Sequence, residues 1–592
     1  MPSPEPEVEK PSPIRKCFRI LFPFLSTSST TSRSNSNHTR RGGWFFSKGS
    51  SSRFSGQSLV LPVLLAVVIA VVLAVVLLHF KKAVPVSVLI ALSTPSTAVS
   101  IDPTLLCISI EQDRWTEWIG TNTTNTFFLN TLDNLKQRTG QPPWVRIGAD
   151  SEDRTNFNPN VTYAQAVFPA STKTTPYPEA NNLTVGDKYY QLASQLPQGT
   201  HVIWGVNLGQ NNVTAAVLEA QSITKAFQNA TMVNAGVSLA FIEVGNEADL
   251  YGRHGLRSSI NWTIAEYTAE WTKFANNVSQ VAGVSTSSSV KFLGGSFAES
   301  SHKTGSFSPQ GLFDSGILNS DPGKLITTIS QHHYSGSFCS GKKGLLQGLM
   351  TKSTIRSNLT QFSPDIAAAR AQGLDYFLGE TNSYACHGAP GVSNTAGAAL
   401  WMLDYLLFAP QIGITRLFFH HGVGYKYNLI QPVTLTKSTL DGSNLTQPLG
   451  PHVQPQYYAG IIATEAIGTS GSVKAVEIII KDNFVSGYAF FEGNDLKRAV
   501  LINSQAYLNT TKGKRPSKTI SLKFSGSGTK PTTASVKRLT IGHANDGHGL
   551  TWGGQSFETS DARPNGTLSV EDIGMADSVT LSATEAILLT FS

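Results

Sequence analysis

The sequence predicts an α/β protein: a (β/α)8 TIM barrel followed by an all-β sandwich domain, preceded by a single transmembrane helix and a disordered tail. Three observations carry this reading. Eight apolar, β-rich runs recur at intervals long enough to hold a helix: Leu105 to Ile110, Trp144 to Ile147, His201 to Val206, Leu239 to Val244, Val290 to Leu293, Ile326 to Gln331, Tyr376 to Leu378 and Ile414 to Phe419. From Val453 onward the pattern changes to short alternating runs separated by Gly, Asn, Ser and Pro clusters. Ahead of both lies Leu59 to Phe80, 22 residues without a charge.

Residues 1–57 read as a disordered basic cytosolic tail, with SSTTSRSNSN and SKGSSSRFSG as typical stretches. The tail holds nine Lys or Arg against three Glu, so it carries +6 of the chain's net +7. With Lys81 and Lys82 set aside, the remainder sums to −1, and a near-neutral folded part argues against a nucleic-acid-binding surface. Residues 58–82 read as a signal anchor. At 1.5 Å per residue, Leu59 to Phe80 is long enough to cross a hydrocarbon core of roughly 30 Å. The basic N-terminal flank keeps the tail cytosolic, which predicts a single-pass type II membrane protein whose main body is extracellular or in the secretory lumen. Eleven Asn-X-Ser/Thr sites beyond Phe80 permit N-glycosylation there.

Residues 83–103 read as a strand segment joining the C-terminal β-domain, 104–450 as the barrel, and 451–592 as the β-sandwich. Helical patterns lie between the barrel runs, as in Ile264 to Val281, where Tyr267, Trp271, Phe274 and Val278 recur at helical spacing. Ala396 to Phe408 is another. Of the four cysteines, Cys339 and Cys386 each follow a strand end at a similar offset, which predicts a disulfide in an oxidising compartment. Two unrelated thiols are the alternative, because spacing does not fix connectivity.

Chemistry is expected at the carboxyl ends of barrel strands. Two apolar runs stop there on a glutamate: Phe241-Ile242-Glu243-Val244-Gly245-Asn246-Glu247 on the fourth, and Tyr376-Phe377-Leu378-Gly379-Glu380-Thr381-Asn382-Ser383 on the seventh. A buried carboxylate is costly unless something uses it. Two of them can cleave a glycosidic bond, one protonating the leaving oxygen while the other attacks the sugar carbon. Glu243 shares strand parity with Glu247 and reads as a buried partner of a basic residue. Metal catalysis finds little support: His332-His333 and His420-His421 are adjacent pairs whose side chains point to opposite strand faces, and no His-Glu-X-X-His or Cys-X-X-Cys occurs. Gly-X-Ser-X-Gly is absent too, which disfavours a serine hydrolase. No metal or organic cofactor is expected.

Asn-Glu on strand four and Gly-Glu on strand seven, with Val145-Arg146-Ile147-Gly148 on strand two, resemble glycoside hydrolase family 79 in its fungal form. That family of retaining (β/α)8 enzymes includes β-glucuronidases and heparanases. The resemblance runs from about Ala83 to Ser592. It implies Glu247 as acid/base and Glu380 as nucleophile, with Arg146 beside the nucleophile, Asn246 as donor to the sugar 2-hydroxyl, and Tyr334 bonding the nucleophile through its hydroxyl. It further implies Tyr384, Tyr425 and Tyr427 as contacts to a sugar carboxylate, with Lys426 and the backbone amides of the Gly-rich Gly422 to Tyr427 segment beside them. The expected partners are a glycan substrate bearing β-linked glucuronic acid or a close relative, and the membrane through Leu59 to Phe80. The rival reading is a catalytically inactive carbohydrate-binding or wall-associated protein on the same scaffold.

Overall fold

The computed structural model describes residues 85–298 and 305–592. The predicted tail (1–57) and anchor (58–82) lie outside the described residues. Among the described residues, no helix is long and apolar enough to cross a membrane.

Eight parallel strands close a barrel, each hydrogen-bonded to the next and the eighth to the first. They are β1 (Leu106–Glu111), β2 (Val145–Gly148), β3 (His201–Val206), β4 (Ser238–Val244), β5 (Lys291–Phe297), β6 (Ile326–Ser337), β7 (Asp375–Ala385) and β8 (Arg416–His421). Nearly every residue on them is buried, as expected where helices cover the outside and side chains fill the inside. The barrel floor is a plug of Cys107, Ile203, Phe241, Leu293, Phe377 and Phe418, one inward residue from each of six strands. The layers above it are polar: Ser109, Arg146 and Glu243 continue the inward parity of Cys107 and Phe241.

Strand β7 breaks this parity. Against β6, Gln331 pairs with Leu378 but His332 with Glu380, and against β8, Leu378 pairs with Leu417 but Thr381 with Phe419. Gly379 is therefore an extra residue, a bulge that turns Glu380 inward where strict alternation from Phe377 would turn it out. The position needs a glycine, since a Cβ there would lie 2.0 Å from Ser330 Oγ.

Strands of the C-terminal domain form two sheets. The larger holds Val473–Glu477, Val485–Glu492, Asp495–Asn503, Glu585–Phe591, Thr533–Thr540 and shorter pieces, while the smaller pairs Val86–Ala91, Ser517–Ser525 and Ser578–Ser582. Segment 83–103 thus contributes Val86–Ala91 to the small sheet and Val99–Ser100 to the large one. The large sheet is apolar on both faces. Ala499, Leu501, Ile587 and Leu589 pack on Val88, Ile90, Ile520 and Leu581 of the small sheet, whereas Val500, Ile502, Ala586 and Leu588 join the barrel's own core.

The boundary expected at residue 451 is wrong. Pro455–Ile467 is a helix, buried at all but one of its thirteen residues, and it packs with helices Ala396–Ile412 and Thr126–Thr139 as part of the barrel shell. It carries apolar residues all round, so it lacks the one-sided stripe by which a surface helix is read. The β-domain begins only at Val473.

One polar knot joins the two domains. Asp404, fully buried in helix Ala396–Ile412, accepts from Arg356 Nη1 at 2.6 Å, Tyr488 Oη at 2.6 Å and Ser486 Oγ at 2.9 Å. Arg356 also donates to Glu477 Oε1 at 2.6 Å. Removing one partner of such a buried pair leaves the other uncompensated. Asp404→Ala should lower the unfolding free energy by about 3 kcal/mol or more, and Asp404→Asn by less, measured by urea denaturation; equal stability of Asp404→Ala and wild type refutes the role.

Candidate active site

Arg146 sits at the centre of the barrel mouth with no exposed surface. Its Nε donates to Glu243 Oε2 at 2.6 Å, Nη1 to Glu380 Oε2 at 2.8 Å and to Ser109 Oγ at 3.0 Å, and Nη2 to Asn246 Oδ1 at 2.8 Å. A third carboxyl, Glu152, lies 3.8 Å from Nη2. Glycines make room for it: a Cβ on Gly205 would lie 1.9 Å from Glu152 Oε2, and one on Gly148 2.4 Å. Burial, reinforced by the neighbouring Glu243 charge, pushes the Glu152 carboxyl well up. The carboxyls that Arg146 touches directly are those of Glu243 and Glu380.

Glu380 is held ionised. Burial opposes this, but the charges of His420 and Arg146 and the hydrogen bond from Tyr334 Oη to Oε1 at 2.7 Å outweigh it, and the carboxyl falls far below the usual range. His332 contributes no charge, since burial pushes it down to about 3. His420 is pushed the other way, upward, because Glu380 at 3.7 Å and Glu111 at 3.3 Å outweigh its burial.

Glu247 differs in every respect. It follows β4 in the left-handed region, φ 48° and ψ 45°, a costly setting for a non-glycine residue. Its N–H donates to the carbonyl of Ser296, itself at φ 53°. The side chain is 17% exposed, and Oε1 lies 2.9 Å from His332 Nδ1. Burial first, then the charge of Glu380, pushes its carboxyl well above the ordinary range. Ligand atoms of Glu247, His332 and Glu380 all lie within 4.8 Å of one another. Such a trio can hold a cation, but here Glu247 and His332 bond each other while Arg146 and Tyr334 occupy the two Glu380 oxygens.

Glu247, Glu380, Asn246, Arg146 and Tyr334 thus come together as one cluster. Glu243 pairs with Arg146 as expected. Tyr427 borders the cluster, its ring centroid 5.9 Å from that of Tyr334. The other two tyrosines each have partners within the protein. The hydroxyl of Tyr425 donates to Glu179 Oε1 at 2.8 Å, and Tyr384 packs against Gly336 and the backbone of Gly344. Lys426 is buried with Nζ on the carbonyl of Thr174, and the amides of Gly422 and Gly424 are bonded to Asn428 and Gln431. The amides of Gly422 and Gly424 are therefore engaged within the protein.

Sequence reasoning missed several members of the mouth. His332 and His420 were weighed as metal ligands, yet one lies on Glu247 and the other between Glu380 and Glu111. Their strand parity with Tyr334 and β8's inward face was the available signal. Glu179 comes from the long insertion after β2 and bonds His387 Nε2 at 2.5 Å, with the His387 ring stacked on Tyr425 at 3.9 Å. Nothing local in the sequence announces that contact. His387 follows Cys386, which forms a disulfide with Cys339 across the ends of β6 and β7.

Residues 487–588 match the family model of the glycosyl hydrolase family 79 C-terminal beta domain. A β-glucuronidase of Aspergillus niger is 28% identical over 458 residues, covering 74% of this chain and 80% of that protein. A β-glucuronidase of Neurospora crassa is 27% identical over 500 residues, covering 77% and 85%. Among solved structures, the 4-O-α-L-rhamnosyl-β-D-glucuronidase of Fusarium oxysporum 12S, in its Rha-GlcA complex, is similar with a TM-score of 0.68 at 26% identity, covering 85% of this chain and 100% of that one. These likenesses support the family 79 resemblance, weigh against a silent carbohydrate-binding scaffold, and identify the chain as a glycoside hydrolase.

Proposed function

We propose that this chain is a retaining glycoside hydrolase that removes β-linked glucuronic acid from glycans, with Glu380 as nucleophile and Glu247 as acid/base. The observation that carries the mechanism is the approach of one oxygen of each carboxyl to within 4.8 Å of the other, with burial and neighbouring charge pushing the Glu247 carboxyl up while the groups around Glu380 push its carboxyl down. A gap near 5 Å lets one carboxylate reach the anomeric carbon directly, whereas about 6.5–9.5 Å would leave room for a water and invert the configuration. The names of the relatives support the glucuronide.

In the first step an oxygen of Glu380 forms a bond to the anomeric carbon as the bond to the leaving oxygen breaks. The Glu247 proton passes to that oxygen. In the second, Glu247 takes a proton from water, the water oxygen attacks the same carbon, and Glu380 departs with its electron pair. Arg146 and Tyr334 hold the nucleophile in place between steps. Of the three tyrosines matched to carboxylate contacts, Tyr427 is the one beside this cluster, its hydroxyl paired with that of Tyr334.

Hydrolysis of an aryl β-glucuronide tests the activity directly, and no turnover by folded protein between pH 3 and 7 refutes it. Glu380→Gln should abolish turnover. Glu247→Ala should lose about 10²–10⁴-fold on poor leaving groups and recover with azide on activated ones; full activity in either variant overturns the roles.

The pH dependence follows from the same two groups. Activity needs Glu380 ionised, and its depressed pKa keeps it so far into acid. It also needs Glu247 protonated, so turnover falls as pH rises through that raised value. The alkaline limb should vanish in Glu247→Ala on an activated aryl substrate; persistence of the limb would assign it to another group.

The same reading includes the anchor. Leu59 to Phe80 with its basic flank supports a type II topology, and the Cys339–Cys386 bond suits an oxidising compartment. The full chain should stay in the membrane pellet through alkaline carbonate washing while a version lacking residues 1–82 is soluble; extraction of the full chain by carbonate rules the anchor out.

A further inference from the structure

We infer that the Cys339–Cys386 disulfide is a thiol-sensitive switch: closed, it holds a strained turn against the loop that carries Tyr427, and reduction lets that turn relax and slows the enzyme. Its effect on turnover rests on the glucuronidase reading above. The bond joins the residues just past β6 and β7, and both cysteines are exposed although Phe338 and His387 beside them are buried. An exposed disulfide is one that a small thiol can reach.

The turn it holds is left-handed throughout. Cys386, His387 and Gly388 have φ of 60°, 66° and 82°. Glycine takes that conformation freely, but two consecutive residues with a Cβ keep it only where their surroundings impose it. Three ties do so here: the disulfide at Cys386, the bond between His387 Nε2 and Glu179 Oε1 at 2.5 Å, and the bond from the Lys426 N–H to the His387 carbonyl at 2.8 Å. The first is the covalent one, and the one a reagent can cut.

The turn in turn shapes the loop after β8. The His387 ring stacks on Tyr425, and a Cβ on Gly388 would lie 3.1 Å from the Tyr427 nitrogen, so the turn lies directly against the Tyr427 backbone. The Tyr427 hydroxyl is paired with that of Tyr334, which donates to Glu380 Oε1 at 2.7 Å. Contacts therefore run without a break from the exposed sulfurs to the carboxylate proposed as nucleophile. The element with two states is the turn.

Reduction is a two-electron step. A thiolate of a dithiol attacks Cys386 Sγ, the S–S bond breaks, and Cys339 leaves as the thiolate, to whose sulfur Ser337 Oγ already donates at 3.1 Å. The second thiolate of the dithiol then attacks the reagent sulfur bound to Cys386 and releases it. The reagent ends as a disulfide, and the protein gains two electrons and two protons. Residues 386–388 are then free to leave the left-handed region, taking with them the contact on Tyr427.

The test treats the folded full chain with dithiothreitol. Alkylation and mass spectrometry should find Cys339 and Cys386 labelled, and hydrogen exchange should rise in residues 384–393 and 422–427 while the barrel strands stay protected. On an aryl β-glucuronide kcat/KM should fall about 2- to 10-fold, the effect of losing one hydrogen bond, and reoxidation should restore it. The double variant Cys339→Ser, Cys386→Ser should show the same loss with no response to the thiol; where it fails to fold, the reduced wild type decides. The inference is overturned if the two cysteines stay unlabelled in folded protein, if reduction leaves either exchange or kcat/KM unchanged, if it unfolds the whole protein, or if the double variant matches the oxidised wild type. A wild type inert on the glucuronide before reduction overturns the glucuronidase reading instead, and the exchange pattern alone then decides the switch.

Discussion

The mouth of this barrel is organised around a single buried guanidinium. Arg146 spends its donors on Glu243, Glu380, Asn246 and Ser109, residues from β4, β7, the β4 loop and β1. A lysine could not replace it, because an ammonium is a point charge without the planar fork that reaches several acceptors in fixed directions. Burying such a charge is costly unless it is matched, and matching it needs Glu243 as well as Glu380. The Glu243 contact means that, on the proposed mechanism, Arg146 keeps a carboxyl partner when Glu380 bonds to the sugar.

Two backbone irregularities aim the acid pair at each other. The bulge at Gly379 turns Glu380 inward, and the left-handed residue at position 247 brings the other carboxyl over the mouth. Neither conformation is one that a regular strand would reach, and both sit where the two carboxyls approach each other. The left-handed strain at Glu247 is held by its surroundings, here the Ser296 carbonyl that accepts from its N–H.

How much of this could be read from the chain depended on whether the signal was local. Parallel strands buried on both faces are continuous apolar runs, so all eight were legible, although β6 and β7 run on past the ends of their apolar runs, to Ser337 and Ala385. The two acids stood out because charge at the end of such a run is unusual, and Arg146 inside Val145 to Gly148 stood out for the same reason. Helix Pro455–Ile467 was lost because a helix buried all round has no polar face to mark its period. Glu179 was unseen because it comes from an insertion more than 200 residues away in sequence from its partners His387 and Tyr425. The bulge at Gly379 was invisible as such, and Glu380 was placed inward for functional reasons when simple alternation from Phe377 pointed the other way.

The mouth holds more carboxyls than an anionic substrate would favour, and their proton states decide whether the proposed reading is electrostatically consistent. Glu111, Asp150, Glu179, Glu247 and Glu380 all face it. Glu380 is balanced by Arg146 and His420, and Glu179 is held down to about 2, chiefly by His387 and with a hydrogen bond from Tyr425, against its burial. Glu247 is neutral in the state that starts the reaction. Asp150 is the variable one: desolvation and then the charge of Glu111 push it up to about 7, an effect that solvent tempers because the side chain is 42% exposed. As pH falls, Asp150 takes up a proton and the repulsion felt by an entering carboxylate weakens. As pH rises, Glu247 loses the proton that the leaving group needs, so on the proposed reading both groups favour the acidic side of their raised pKa values.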